Sequence, residues 1–201
     1  MIPLRAPAPL LTRRSVSTLP TGVIDLPRRS IVEILGPASS GRTTLAMTAL
    51  AASTRAGEVA AVIDTHHSWN PVSAEEFGTR LERVLWVRCQ GDAEKAFQAT
   101  DLVLRAGGFG VVWLDLDAVS AKALSRVPLS YWYRFRRAVE NAETTLIAVG
   151  RQTAAGNTAH VKYECELDRV QWSGNLCDEA HYRIRPQRAQ GTSLSLKAKA
   201  G

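Results

Sequence analysis

The sequence predicts an α/β fold with a mainly parallel central sheet, helices on both faces of the sheet, and antiparallel edge strands. Short apolar runs alternate along the chain with longer segments whose apolar residues recur at helical spacing. Strands that alternate with helices form parallel sheets that are covered on both faces. The predicted strands are 31–35, 59–63, 84–87, 110–115 and 145–149, and the predicted helices are 43–54, a short one after Pro71, 92–106 and 129–142.

Two later segments predict the antiparallel strands. Residues 161–172 alternate in polarity, with Tyr163, Cys165 and Leu167 at every second position, and residues 182–185 form a last strand that could pair with them. One core domain is therefore predicted at 26–188. Residues 1–25 lack periodicity and are predicted to be a flexible basic lead-in, and residues 189–201 a flexible basic tail.

The charge of the chain is concentrated at its ends. The 201 residues carry a formal net charge of +6. Residues 1–30 contribute five arginines against one aspartate, and residues 181–201 contribute three arginines and two lysines without an acid. The ends therefore carry +4 and +5, which leaves −3 for the rest. Basic ends suit an anionic partner such as nucleic acid, with an attraction that weakens as salt rises; the alternative is that they only keep the chain soluble.

Several classes of protein are disfavoured by composition. Three widely spaced cysteines form no zinc-binding pattern, and they favour reduced thiols over a disulfide framework. Prolines interrupt residues 1–9, and no apolar run reaches the length of a membrane-spanning helix. His66 and His67 follow Asp64 without a fourth ligand in view, which disfavours a metal site there. A cytoplasmic protein without a membrane segment is predicted.

Residues 31–45 are the most informative segment, because a strand, a glycine-containing loop and a helix follow one another. Glycines let a loop curl until its N–H groups converge on a phosphate, and the helix start adds the positive end of its dipole. The phosphate-loop motif is met everywhere except that Arg42 replaces a lysine. Arginine keeps the charge on a bulkier planar group, so phosphate binding is predicted and phosphoryl transfer is left open. The candidate phosphate-binding residues are Gly36, Ser39, Ser40, Gly41, Arg42, Thr43 and Thr44.

With this loop in place, the chain resembles the RecA family as far as about residue 170. Further segments resemble that family in the correct order: 61–71, 111–115, 146–152 and 156–168. The resemblance implies a RecA-like P-loop NTPase fold that binds ATP and Mg²⁺. It implies that Thr43 and Asp115 hold the metal and that Gln152 senses the γ-phosphate. Asp117 is predicted to lie on the same strand as Asp115 but to face the opposite way, so only Asp115 is a metal candidate.

The departures from the family pattern bear on activity. His66 stands where the family has its catalytic glutamate, and Arg42 stands where it has its lysine. The second DNA-binding loop is reduced to Thr153–Ala155, and the segment matching the first, around Ala121–Pro128, is also short. These features and the arginine-rich ends resemble the RecA-like ImuA proteins of bacterial SOS mutagenesis.

The resemblance implies an accessory protein of DNA repair or translesion mutagenesis with a degenerate ATP site, and no confidently assigned catalytic residue. Its partners would be repair or mutagenesis proteins, such as a polymerase-like protein or RecA, with weak non-specific DNA contact and some form of self-assembly. Two alternatives stay open: an active DNA-dependent ATPase, and a nucleic-acid-binding module that uses its basic ends.

Residues 129–137 interleave aromatic and cationic side chains, a composition that can stack bases and contact phosphates. At helical spacing, however, Leu129, Trp132, Phe135 or Arg136, and Val139 form one stripe. The favoured interpretation is that this stripe faces the core and leaves Arg134 and Arg137 exposed, with Tyr131 as a further candidate for exposure.

Overall fold

The computed structural model describes residues 17–173, 176–187 and 194–199. Its strands are β1 (Thr18–Pro20), β2 (Asp25–Pro27), β3 (Ser30–Leu35), β4 (Val59–Asp64), β5 (Val84–Arg88), β6 (Phe109–Asp115), β7 (Thr145–Gly150), β8 (Val161–Ser173), β9 (Leu176–Pro186) and β10 (Leu194–Lys199). Its helices are α1 (Arg42–Arg55), α2 (Pro71–Glu76), α3 (Ala93–Ala106), α4 (Ala121–Leu124) and α5 (Ser130–Glu140). Within the described ranges, every helix is too short or too polar to cross a bilayer.

The central sheet of the described residues has the strand order β10-β9-β8-β3-β7-β6-β4-β5. The strands from β8 to β5 in this order pair in parallel, whereas β9 runs antiparallel to β8 and β10 antiparallel to β9. The predicted α/β architecture is therefore confirmed. Strand β8 combines both modes, since Val161–Glu164 pair in parallel with β3 while most of the strand pairs with β9.

Helices cover the sheet on both faces because the central strands β4, β6 and β7 are buried on both sides. In β6, Val111 and Trp113 belong to the core that includes α1, while Val112 and Leu114 belong to the core that includes α3 and α5. Asp92 begins α3 by accepting a hydrogen bond from the Lys95 N–H. The two cores fix the carboxyl ends of β3, β4, β6 and β7 along one edge of the sheet.

The aromatic segment of α5 packs as predicted, with one exception. Trp132 and Phe135 are buried against Phe97 of α3, and Val139 is buried in the same core cluster. Leu129 is exposed and occupies the N-cap position, because the helix begins only at Ser130. The assignment of Leu129 to the inward stripe is therefore wrong.

The ends contain more regular structure than the sequence predicts. Thr18–Pro20 pair with Asp25–Pro27 inside the predicted lead-in, and Leu194–Lys199 pair with Glu179–Ile184 of β9 inside the predicted tail. The prediction of irregular structure is therefore wrong for these two segments, because pairing with a neighbouring strand outweighs weak local propensity. Residues 1–16 lie outside the described residues.

Candidate phosphate site

The glycine loop, residues 36–41, joins β3 to α1 and is shaped by the strands that it packs against. A Cβ atom on Gly36 would lie 2.3 Å from the carbonyl oxygen of Cys165 in β8. Gly41 has φ 85°, and a Cβ there would lie 2.6 Å from the ring of Tyr182 in β9. Both positions therefore require glycine, and the loop conformation is imposed by the protein itself.

Helix α1 begins directly after this loop, without a side-chain cap at Gly41. The first N–H groups of a helix have no intrahelical partner, and with the loop N–H groups they form an anion-binding end. Two side-chain atoms of the same segment, Ser40 Oγ and Arg42 Nη1, are buried without a hydrogen-bond partner among the described residues. Such unpaired donors fit a phosphate group, whose oxygens accept hydrogen bonds.

Arg42 is engaged by a carboxylate. Its side chain is only 4% exposed, and its Nη2 lies 2.7 Å from Asp117 Oδ1. The Nε of Arg151 approaches the same oxygen at 3.2 Å. Burial by itself would raise the pKa of Asp117, but hydrogen bonds and charge from Arg42 and Arg151 hold that pKa below its ordinary value. The cation of the phosphate motif is therefore already paired within the protein.

The placement of Asp117 differs from the prediction. Strand β6 ends at Asp115, and Asp117 lies in the turn that follows, where its N–H donates to Asp115 Oδ1 at 3.0 Å. The two carboxylates therefore lie at the same edge of the sheet, and the expectation that they face opposite ways is wrong. The expectation also misapplied the strand period, because side chains two positions apart on a strand project from the same face.

Asp115, the predicted metal ligand, is 6% exposed, and both its oxygens accept hydrogen bonds from the protein. Besides the Asp117 N–H, the hydroxyl of Ser68 donates to Oδ2. Burial raises the pKa of Asp115, and the Ser68 hydrogen bond offsets part of this shift. A carboxylate keeps spare lone pairs after two such bonds, so Asp115 can still bind a cation. Thr43, its predicted co-ligand, is exposed in the first turn of α1.

Asp64 stabilises the turn after β4 by accepting hydrogen bonds, whereas the side chain of His66 in the same turn is exposed to solvent. Buried Asp64 accepts from the N–H groups of Ser68 at 3.0 Å and Trp69 at 3.4 Å, and from Trp86 Nε1 at 3.1 Å. His66 is exposed, and no described residue is its hydrogen-bond partner. Nothing in that part of the chain therefore orients His66 as a general base. The described residues contain no cluster of three metal-ligating side chains.

Gln152 lies near the start of the glycine loop. With Gly36, Pro37 and Arg151 it lines a cavity of about 430 Å³. The segment after it is fixed by Glu33, a buried residue of β3 that accepts from the N–H groups of Ala154 at 2.6 Å and Ala155 at 2.8 Å.

Glu33 also accepts from Thr153 Oγ1 at 2.8 Å, and Lys162 Nζ lies 3.2 Å from its carboxylate. The segment Thr153–Ala155, which is predicted to correspond to the second DNA-binding loop, is therefore bound to the core. Sequence reasoning missed the roles of Glu33, Asp117 and Tyr182; the acid inside the apolar run 31–35 was the available signal for Glu33, because a buried charge needs partners.

The fold and the site define the class: an α/β protein whose glycine loop joins the first parallel strand of its sheet to a helix. Residues 14–126, more than half of the chain, match the family model for the RecA N-terminal domain. The chain therefore belongs to the RecA family.

Individual relatives agree with this assignment. The chain is 38% identical over 120 residues to Protein RecA of Methylococcus capsulatus, covering 55% of this chain and 34% of that protein. It is 39% identical over 112 residues to Protein RecA of Acidothermus cellulolyticus, covering 55% of this chain and 32% of that protein. The chain thus spans about a third of the length of these relatives. The crystal structure of the RadB recombinase superposes with a TM-score of 0.62 at 15% identity, over 86% of this chain and 87% of that chain, which is a likeness of fold.

Proposed function

We propose that this protein is an accessory factor of bacterial DNA repair that works in SOS-induced translesion mutagenesis through protein contacts, and that its nucleotide site hydrolyses ATP slowly or not at all. The single observation that carries the proposal is the ion pair between Arg42 and Asp117. This pair turns the cation of the phosphate loop toward a carboxylate of the same chain.

Both the Arg42–Asp117 pair and the exposure of His66 oppose catalysis. A phosphate that is to be contacted by the guanidinium must first displace Asp117, and breaking a largely buried pair leaves an uncompensated charge. Phosphoryl transfer depends on a cation placed on the phosphates and on a residue that positions the attacking water. The cation, Arg42, is already bound by Asp117. His66 stands where a residue would position the attacking water, but it is exposed and no described residue is its hydrogen-bond partner.

The residues still fit a bound nucleotide. The backbone of the glycine loop with Ser39, Ser40, Thr43 and Thr44 would surround the phosphates, Asp115 and Thr43 would hold the metal, and Gln152 would lie near the terminal phosphate. ATP would supply the phosphoryl group, and Mg²⁺ would neutralise its charge. Binding without turnover is the behaviour expected of a nucleotide that stabilises a conformation rather than drives a cycle.

Two features of the described residues support action through protein contacts. Glu33 binds the remnant at Thr153–Ala155, so this segment lacks the freedom of a DNA-binding loop. At the other edge of the sheet, β5 exposes Leu85 and Trp86, and an exposed apolar edge strand is a surface that favours pairing with a protein. A polymerase-like protein, or RecA itself, is the proposed partner.

Phosphate release tests the proposal. The wild type, with and without single-stranded DNA, should release phosphate at no more than a trace rate. The double variant Arg42→Lys with His66→Glu restores both family residues and should gain hydrolysis, and Asp115→Ala in that background should abolish the gain. Wild-type turnover at rates ordinary for recombinases, lost on Asp115→Ala, would overturn the accessory function.

That last outcome would establish the second candidate, a DNA-dependent ATPase of the RecA family. The observation in its favour is that the glycine loop keeps its shape and that Asp115 lies opposite Asp64 at the ends of adjacent parallel strands. The partner is tested separately by copurification from DNA-damaged cells with tagged wild type and with Trp86→Ser. Recovery of RecA or a polymerase-like protein with the wild type alone would support contact through β5, whereas equal recovery with both would place the contact elsewhere.

A further inference from the structure

A basic surface lies between α3 and α5, on the face of the sheet opposite α1. We call it the arginine surface and define it by Arg105 of α3 and by Tyr133, Arg134 and Arg137 of α5. The three arginines line a cavity of about 460 Å³ in which Asp101 is the acidic lining residue. A second cavity of about 480 Å³ along α5 shares Arg134 and Arg137 and adds Tyr133. Arg136 and Glu140 also line this cavity, and their charges offset each other because they form an ion pair at 2.8 Å. The two cavities therefore form one continuous surface.

The charges on this surface do not cancel. Asp101 lies 3.4 Å from Arg105 Nε and 3.2 Å from Arg134 Nε, and its own side chain is 13% exposed. The side chains of Arg105 and Arg134 are 64% and 50% exposed. One recessed carboxylate therefore holds two outward-facing guanidinium groups together. Arg137 has no ion-pair partner in the described part of the chain, so the surface carries a net charge of +2.

Aromatic side chains make the surface rigid and give it a stacking element. The guanidinium of Arg134 lies over the Tyr131 ring at 4.3 Å, which restricts both side chains. Tyr133 is 65% exposed and precedes Arg137 by one helical turn. The opposite side of α5 is anchored through Trp132 and Phe135. An exposed tyrosine next to arginines is a combination that can stack on bases and contact the phosphates of a single strand.

The described arginines at the two ends of the chain are, by contrast, used internally. Arg28 binds Glu58 at 2.7 Å, and Arg29 donates to the backbone oxygen of Glu140 at 2.6 Å. Arg183 pairs with Asp168, and Arg185 Nη1 lies 3.6 Å from Glu166. The excess charge at the ends is therefore a weaker argument for an anionic partner than sequence alone indicates.

We propose that the arginine surface binds single-stranded nucleic acid, with Arg105, Arg134 and Arg137 on the phosphates and Tyr133 stacked on a base. The proposal is independent of the nucleotide site, because the surface shares no residue with the glycine loop or its acidic neighbours. An acidic protein segment would need the charge but not the exposed aromatic ring, which favours nucleic acid.

The test measures binding of a fluorescent oligothymidylate to the full-length chain by anisotropy over a series of salt concentrations. Replacing Arg105, Arg134 and Arg137 together by alanine should weaken binding about a hundredfold and lower the salt slope by about 2, at roughly 0.7 for each lost phosphate contact. Arg137→Ala alone should weaken it several-fold. Tyr133→Ala should also weaken it, whereas Tyr133→Phe should not.

The matched control replaces Arg80, Arg126 and Arg169, three exposed arginines elsewhere, and removes the same charge. This variant should bind nearly as the wild type does, and circular dichroism melts should show every variant folded. The proposal is overturned if the wild type does not bind the oligonucleotide, or if the two triple variants lose affinity equally. It is also overturned if a labelled polyglutamate peptide binds more tightly than the oligonucleotide and Tyr133→Ala has no effect, which would make this an acidic-protein surface.

Discussion

The glycine loop and the acidic edge opposite it, Asp64, Asp115 and Asp117, are held in different ways. The loop is fixed by shape, since β8 and β9 lie where side chains at Gly36 and Gly41 would be. The acidic edge is fixed by hydrogen bonds, since each carboxylate accepts from donors of the same chain. A ligand could therefore use the loop as it stands, but it would have to compete with the protein at the acidic edge.

Within the acidic edge, two carboxylates only two residues apart behave in opposite ways. Asp115 is buried and its neighbours are hydroxyl and N–H dipoles, so burial dominates and its pKa is raised. Asp117 is about a third exposed and contacts two guanidinium groups, so charge dominates and its pKa is lowered. Proximity along the chain does not give two acids the same environment.

The largest expected effect comes from breaking the shape of the loop. Gly41→Ala should lower the free energy of unfolding by about 3 kcal/mol, because it combines left-handed strain with a clash against the Tyr182 ring. Gly57→Ala is the matched control: it has φ 88° but open space around the site, so only strain of about 1 kcal/mol should appear. Urea unfolding measures both. Equal losses would show that Tyr182 does not press on the loop.

Next in size is the loss of the Arg42 partner. Asp117→Asn should lower the free energy of unfolding by about 2 kcal/mol at neutral pH, less than for a fully buried pair because Asp117 is partly exposed. Its folded pKa is lowered from 3.8, so its contribution is present above pH 3.8 and is lost as pH falls through the folded pKa. The difference between wild type and variant should therefore shrink in acid. A difference that grows on acidification would refute this ion pair.

Nucleotide affinity should respond to the same substitution in the opposite direction. Asp117→Asn frees Arg42 to contact a phosphate, and a fluorescent ATP analogue should bind about tenfold more tightly, which corresponds to about 1.4 kcal/mol. Arg151→Gln keeps the Arg42–Asp117 pair and should give no such gain. An unchanged or weaker affinity for Asp117→Asn would mean that Asp117 does not compete with phosphate.

The smallest effect is expected at Asp115. Asp115→Asn should change stability by less than about 1 kcal/mol at neutral pH, since it removes a buried charge while the Asn carbonyl can still accept from Asp117. The folded pKa of Asp115 is raised from 3.8, so its contribution is fully present below pH 3.8 and is lost as pH rises through the folded pKa. Relative to the wild type, the variant should therefore gain stability as pH rises. If Asp115→Asn lowered the free energy of unfolding as much as Asp117→Asn does, the proposed difference in environment between the two acids would be contradicted.

The sequence by itself determined the layers of the fold and the position of the loop. Apolar runs of strand length that alternate with amphipathic segments admit few arrangements other than a covered parallel sheet, and the fold is confirmed. The inward positions of Trp132, Phe135 and Val139 followed from helical spacing, because burial repeats with the helix period. The motif at 36–44 placed the glycine loop and the start of α1, because glycine positions and a helix start are local properties.

Only the tertiary structure decided which side chains meet. Asp117 and Arg42 are 75 positions apart in the sequence, and their contact depends on where β6 ends and on which strands are neighbours in the sheet. Three other contacts also depend on which strands are neighbours in the sheet. They are the pairing of Leu194–Lys199 with β9, the packing of the Tyr182 ring against Gly41, and the hydrogen bond from the Ala154 N–H to Glu33. Local propensity acts over a few residues, whereas ion pairs, buried hydrogen bonds and steric exclusion act between segments that only the folded sheet brings together.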